Sequence, residues 1–169
     1  MTDSKHIARA LEDQPTWKNK GLPDLRALTS VEPSPPLLPG ADSVQQAVRL
    51  LRQALGVAEG GWADVETPAG PVRINDASLP HVVEKRQDQR ERFAHFVLPT
   101  LRSPNEVWSV KYDYGSRRNR YIRLFGGSKY DLLVMVKVEP DGSVFWNMMQ
   151  RDRKGMNAFR TGELIFKAL

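Results

Sequence analysis

Arg117-Arg118-Asn119-Arg120-Tyr121-Ile122-Arg123-Leu124-Phe125 combines strand periodicity with more charge than a buried strand ordinarily carries. Side chains alternate across a strand, so Tyr121, Arg123 and Phe125 share one sheet face and Ile122 and Leu124 the other. That alternation predicts one apolar face and an opposite face that is cationic and aromatic. Guanidinium groups fork onto phosphate oxygens and aromatic rings stack on unpaired bases, so the expected ligand of the second face carries phosphates. RNA is the first partner to expect.

The same period recurs on either side of this strand. Val107 to Tyr114, Leu132 to Val138 and Val144 to Met149 read as further strands, with turns at Gly115-Ser116, Gly126-Gly127 and Pro140-Asp141-Gly142. Consecutive short strands joined this tightly predict an antiparallel meander. Arg151 to Phe159 reads as a loop or short helix before Gly162 and a last strand, Leu164 to Phe166. Upstream, Val44, Ala47, Val48, Leu51 and Leu55 recur at helical spacing, after Asp42 or Ser43 as N-cap and before Gly56 as a stop. Ala63 to Thr67 and Val72 to Ile74 flank Pro68-Ala69-Gly70-Pro71 and predict a hairpin. A helix opened by Asp76 or Ser78, with Pro80 in its first turn, places His81 and Lys85 on one face. Another helix, Asp88 to about Leu101, turns Phe93, Phe96, Val97 and Leu101 inward, and Pro99 is expected to end or kink it. Helices and sheet segregate along the chain, an α+β arrangement.

A chain of 169 residues is long enough for one domain with an appendage. Residues 1–42 carry six prolines, which excludes long regular elements and marks a linker or arm, with Trp17, Leu22, Leu25 and Leu28 available to dock it. Residues 43–169 form the expected domain. Zero cysteines exclude disulfides and thiolate metal sites, and three scattered histidines, His6, His81 and His95, do not compose a zinc site. No phosphate-binding loop or dinucleotide fingerprint is present, so no metal or cofactor is expected and any catalysis falls to side chains. No apolar run approaches the roughly 18 residues of a membrane span, and no secretory signal opens the chain. The expected location is cytoplasmic, or the cytoplasm of a target cell reached through a secretion system or phage particle. Of the net charge of +5, residues 81–169 supply 17 lysines and arginines against ten acids, a regional +7. Such a field draws polyanions in without distinguishing among them.

The order of these pieces resembles the phage-type branch of the barnase, EndoU, colicin and RelE-like nuclease superfamily, found at the end of phage head-morphogenesis proteins and polymorphic toxins. The resemblance rests on the hairpin, the His81/Lys85 helix, Pro104-Asn105-Glu106-Val107-Trp108, the Arg-Tyr-Ile-Arg-Leu-Phe strand, and the closing Asn157, Arg160, Thr161, Gly162, Glu163, Leu164 and Ile165. It is clearest over residues 65–169. It implies a metal-independent endoribonuclease toxin with helices on one face of a twisted antiparallel sheet and the active site on the other. Cleaving RNA without metal needs a base for the 2′-hydroxyl, cations for the charged phosphorane and an acid for the leaving oxygen. Mapped by position, the resemblance gives His81, Arg123, Arg160 and Thr161 catalytic roles, and Lys85, Arg120, Tyr121 and Asn157 contacts to substrate. No histidine follows His95, so the identity of the base stays open. The implied partners are RNA, tRNA included, and an acidic cognate immunity protein.

Bland readings stand beside these. His81 can be a structural helix-start residue, Arg117, Arg118 and Arg120 a steering rim, Trp108 and Trp146 core, and Arg160 and Thr161 a strand terminus. The rival functions are a non-catalytic phage structural or nucleic-acid- or protein-binding module, and an ADP-ribosyl or nucleotidyl transferase.

Overall fold

The computed structural model describes residues 8–29 and 31–168, which leaves His6 outside the described residues. Among the described residues nine strands occur: β1 (Glu32–Pro33), β2 (Trp62–Val65), β3 (Val72–Asn75), β4 (Glu106–Lys111), β5 (Arg117–Arg123), β6 (Phe125–Gly126), β7 (Asp131–Glu139), β8 (Gly142–Arg151) and β9 (Glu163–Lys167). The helices are α1 (Val44–Leu55), α2 (Leu79–Val83), α3 (Val97–Arg102) and α4 (Arg153–Met156). Seven strands make one sheet in the order β2-β3-β8-β7-β5-β4-β9, and β1 and β6 form a separate parallel pair. The expected meander is β4-β5-β7-β8, antiparallel throughout. β9 extends it antiparallel beside β4, whereas β3 joins β8 in parallel. The fold is α+β.

Local chemistry sets the elements. Ser43 Oγ accepts the Gln46 amide at 3.1 Å to open α1, and Gly56, at φ 69°, supplies the left-handed residue that stops it. Ala47, Val48, Leu51 and Leu55 form its buried stripe and pack with Val82, Phe93 and Val97 over the sheet. Glycine is required at position 162, where a Cβ would stand 2.3 Å from the Ser109 carbonyl oxygen.

Three expectations are corrected. First, α2 ends at Val83, so Lys85 leaves the helix in an extended conformation and does not share a helical face with His81. Second, the long helix from Asp88 is instead a 3-10 stretch, Arg90–Phe96, followed by α3, with Pro99 inside the first turn of α3, where its missing N–H costs no bond. The break serves Glu91, whose buried carboxylate takes the Arg86 guanidinium at 2.6 and 2.8 Å and the Ala41 amide at 2.9 Å. Third, Tyr121 and Phe125 do not face solvent. They lie in the helix-side core, and the Tyr121 hydroxyl is 2.7 Å from Thr67 Oγ1, with burial pushing its phenol pKa up.

Ile122 and Leu124 are equally buried on the other face, together with Trp108 and Leu133, beneath Leu25 and Trp17 of the N-terminal arm and Met156 of α4. At this end both faces of the sheet are therefore covered. The division between apolar and cationic surface runs along β5, with Arg117, Arg118 and Arg120 at one end, and not from face to face. No helix among the described residues is long and apolar enough to cross a membrane.

Candidate nucleic-acid interface

The closing segment grips the arm. Arg160, 1% exposed, donates from Nε and Nη2 to both carboxylate oxygens of Glu106 at 2.7 Å, and from Nη1 to the Pro23 carbonyl at 2.8 Å. Its guanidinium also lies 5.0 Å from the Trp17 ring centre. Asn157 Oδ1 accepts the Leu25 amide at 3.1 Å, and its Nδ2 donates to Asp24 Oδ1 at 3.0 Å. Thr161 Oγ1 donates to the Pro15 carbonyl at 2.9 Å. Three groups expected at the reaction centre are thus engaged in docking residues 15–25.

Beyond the arm the same face is open, and there cations and rings interleave. Cross-strand pairing aligns Arg118 of β5 with Lys137 of β7, and Lys137 with Val144 of β8. Trp146 follows two residues after Val144, at a register shift opposite Met135 and Val136 that interrupts strict alternation. Its indole is the meeting point: Lys137 Nζ lies 3.4 Å from the ring centre, the Arg118 guanidinium 5.8 Å, and the His81 ring 4.6 Å. Arg118 also covers Tyr112 at 4.5 Å. Burial, followed by the Arg118 charge, pushes the Lys137 ammonium below its ordinary pKa, with Glu139 opposing. Arg120 lies deeper, donating to the Tyr112 hydroxyl at 3.1 Å and the Phe159 carbonyl at 3.2 Å.

Two clamps hold the rim. Arg52 of α1 donates to Asp76 at 2.6 and 3.1 Å, and Asp76 also accepts the Gly60 amide at 2.7 Å; the Arg52 hydrogen bonds are the leading cause of a carboxyl pKa below the usual range. This fixes the chain between β3 and α2, from which His81 projects with Nδ1 3.4 Å from Glu84 Oε1. Arg90, nearly buried, donates to Asn147 Oδ1 at 2.7 Å beside Trp146.

The matching region covers residues 50–167, more than two thirds of the chain, with the family described as phage-Barnase-EndoU-ColicinE5/D-RelE like nuclease 2. The chain belongs to this nuclease family. No match was found among curated proteins or among solved structures. A nuclease family implies a nucleic-acid substrate, and the arm that packs on one end of the sheet face precedes the part that carries the family pattern.

In this phage-type nuclease the candidate residues fall into separate places. His81 stands at the open row, Arg120 at its floor and Lys85 exposed on the loop beyond α2. Arg123 is five residues along β5 from Arg118, roughly 16 Å at strand rise, on the helix-side face, where Nη1 donates to the Ser103 carbonyl. It borders a different cavity of about 570 Å³ with Arg102 and Asn105. Tyr121 is buried, and Asn157, Arg160 and Thr161 serve the arm. Sequence reasoning placed Trp146 in the core and passed over Lys137 and Tyr112. The available signal was Lys137 itself, a lone cation on one side of an apolar strand.

Proposed function

We propose that the chain is a metal-independent endoribonuclease whose reaction centre is the open row around Trp146. The supporting observation is the convergence of an imidazole, an ammonium and a guanidinium on one indole. In this reading a base stacks on Trp146 and its 3′ phosphate lies between Arg118 and Lys137. His81 takes the proton of the 2′-hydroxyl as that oxygen attacks phosphorus, and Arg118 stabilises the charge gathering on the non-bridging oxygens. Lys137, with its lowered pKa, protonates the 5′-oxygen as the P–O5′ bond breaks. The products are a 2′,3′-cyclic phosphate and a 5′-hydroxyl. In this reading the catalytic roles expected of Arg123 and Arg160 pass to Arg118 and Lys137.

The reading extends to a toxin whose open cationic face is covered by an acidic immunity protein, since complementary charge sets association rate and partner choice. Incubating the protein with tRNA and total RNA in EDTA tests the core of it. Fragments ending in cyclic phosphate are expected, with His81→Ala slowing their release about 10²- to 10⁴-fold. Intact RNA, or equal cleavage of DNA, would reject 2′-hydroxyl chemistry. Retarded migration without strand breaks would leave a binding module.

A further inference from the structure

The open row does not end at Trp146. Arg73 of β3 pairs with Val144, so the line Arg118, Lys137, Val144, Arg73 crosses four strands of the sheet. Val72 and Ile74 point into the helix-side core, which leaves Arg73 and Asn75 on the same face as Lys137. Their partners in the hairpin are Asp64 for Arg73 and Trp62 for Asn75. Trp62 therefore stands on the open face two strands from β8, roughly 10 Å away at ordinary strand spacing.

Its surroundings are built as those of Trp146 are. Trp62 is 55% exposed, although so large a ring ordinarily gains by burial. The Arg73 guanidinium lies 3.7 Å from the ring centre, as Lys137 lies over Trp146. Two hydrogen bonds to Asp64, at 2.9 and 3.2 Å, hold that guanidinium in place and balance its charge. A neutralised cation is a poor phosphate clamp, but it fixes the indole with its other side free. A cavity of about 400 Å³ adjoins, with Asp64, Arg73, Asn75, Asp141 and Val144 in its lining, and the Asn75 amide, on the cross-strand partner of Trp62, stands beside the ring. An unpaired nucleobase matches this chemistry: a flat apolar face for the indole and a polar edge for the Asn75 amide.

We propose that Trp62 is a second base-stacking subsite, taking an unpaired base of the same strand that Trp146, Lys137 and Arg118 engage. The inference rests on the reading of that row as the nucleic-acid site. It predicts a length dependence: oligonucleotides too short to reach from Trp146 to Trp62 do not use it.

The test measures binding of 2′-fluoro RNA single strands, which lack the attacking hydroxyl, by fluorescence anisotropy at fixed salt. Trp62→Ala should weaken an eight-nucleotide strand roughly 5- to 150-fold and leave a single 2′-fluoro nucleotide carrying a 3′ phosphate unchanged, while Trp62→Phe keeps most of the affinity. Equal affinity of Trp62→Ala and the parent protein for the longer strand would overturn the subsite, as would an equal loss at both lengths. Photocrosslinking of the parent protein to a 5-bromouridine strand guards against a folding artefact. An adduct at Trp62 supports the subsite and its absence refutes it. Cleavage of unmodified RNA by the parent protein is scored separately, so loss of the ribonuclease reading and loss of the subsite give different results.

Discussion

Ile122 and Arg118 lie four residues apart on one face of β5 and have opposite surroundings. Ile122 sits under Leu25 with Trp108 and Leu133 as neighbours; Arg118 lies among Tyr112, Trp146 and Lys137 at the surface. Under the arm, the buried Arg160 guanidinium is matched by the Glu106 carboxylate, because an unpaired buried ion costs several kcal/mol. At the open end, the close contacts of Arg118 and Lys137 are to rings. Rings orient a cation without cancelling it, so the charge stays available to an incoming anion. One end of the face is finished by the protein; the other is left for a ligand to complete.

Breaking the covered end should have the largest effect. Glu106→Ala leaves the Arg160 guanidinium buried without its carboxylate, and a loss of about 3–5 kcal/mol is expected in urea unfolding. Replacing both partners together, Glu106→Leu with Arg160→Met, should cost less than the single change. A single-variant loss below 1 kcal/mol would show that the arm does not depend on this pair.

At the open end the expected pattern is reversed. Arg118→Ala and Lys137→Ala should each slow RNA cleavage about 10²- to 10³-fold, the scale of removing one stabilising donor, equivalent to about 2.7–4 kcal/mol. Their unfolding free energies should stay within about 0.5 kcal/mol of the parent. Arg123→Ala serves as the contrast, with little change in rate. If Arg123→Ala abolishes cleavage and Arg118→Ala does not, the reaction centre lies at the other cavity. Trp146→Ala ranks next, with affinity for single-stranded RNA reduced by about 1–3 kcal/mol.

The elements were largely legible and their coverings were not. α1, the hairpin and the meander follow from periodicity and from turn or cap residues close in sequence. Tyr121 and Ile122 could not be assigned to a wet and a dry face, because β5 at that point is buried on both sides and alternation then carries no contrast. Trp146 looked like core among Val144, Phe145 and Met148; it shares the face of Val144 and Lys137, and nothing in composition marks that face as open there. Arg160 and Thr161 looked like chemistry because their acceptors, the carbonyls of Pro23 and Pro15, are 137 and 146 residues away. Only tertiary contact reveals that these donors are already used.

The finest distinction between the two ends is a protonic one. Lys137 in the free protein has a pKa below that of an ordinary lysine, through burial and the neighbouring Arg118. It therefore loses its charge at a lower pH than an unperturbed lysine does. A bound phosphate favours the charged ammonium and raises the pKa again, so binding takes up a proton once the free side chain has begun to deprotonate. Affinity for a 2′-fluoro RNA strand should be level at pH values well below the free-protein pKa and then fall a few-fold as pH rises through it. Lys137→Arg, whose guanidinium keeps its charge, should flatten that fall without removing binding. A parent profile that stays level up to the ordinary lysine range would place the phosphate away from Lys137 and detach the ammonium from the row.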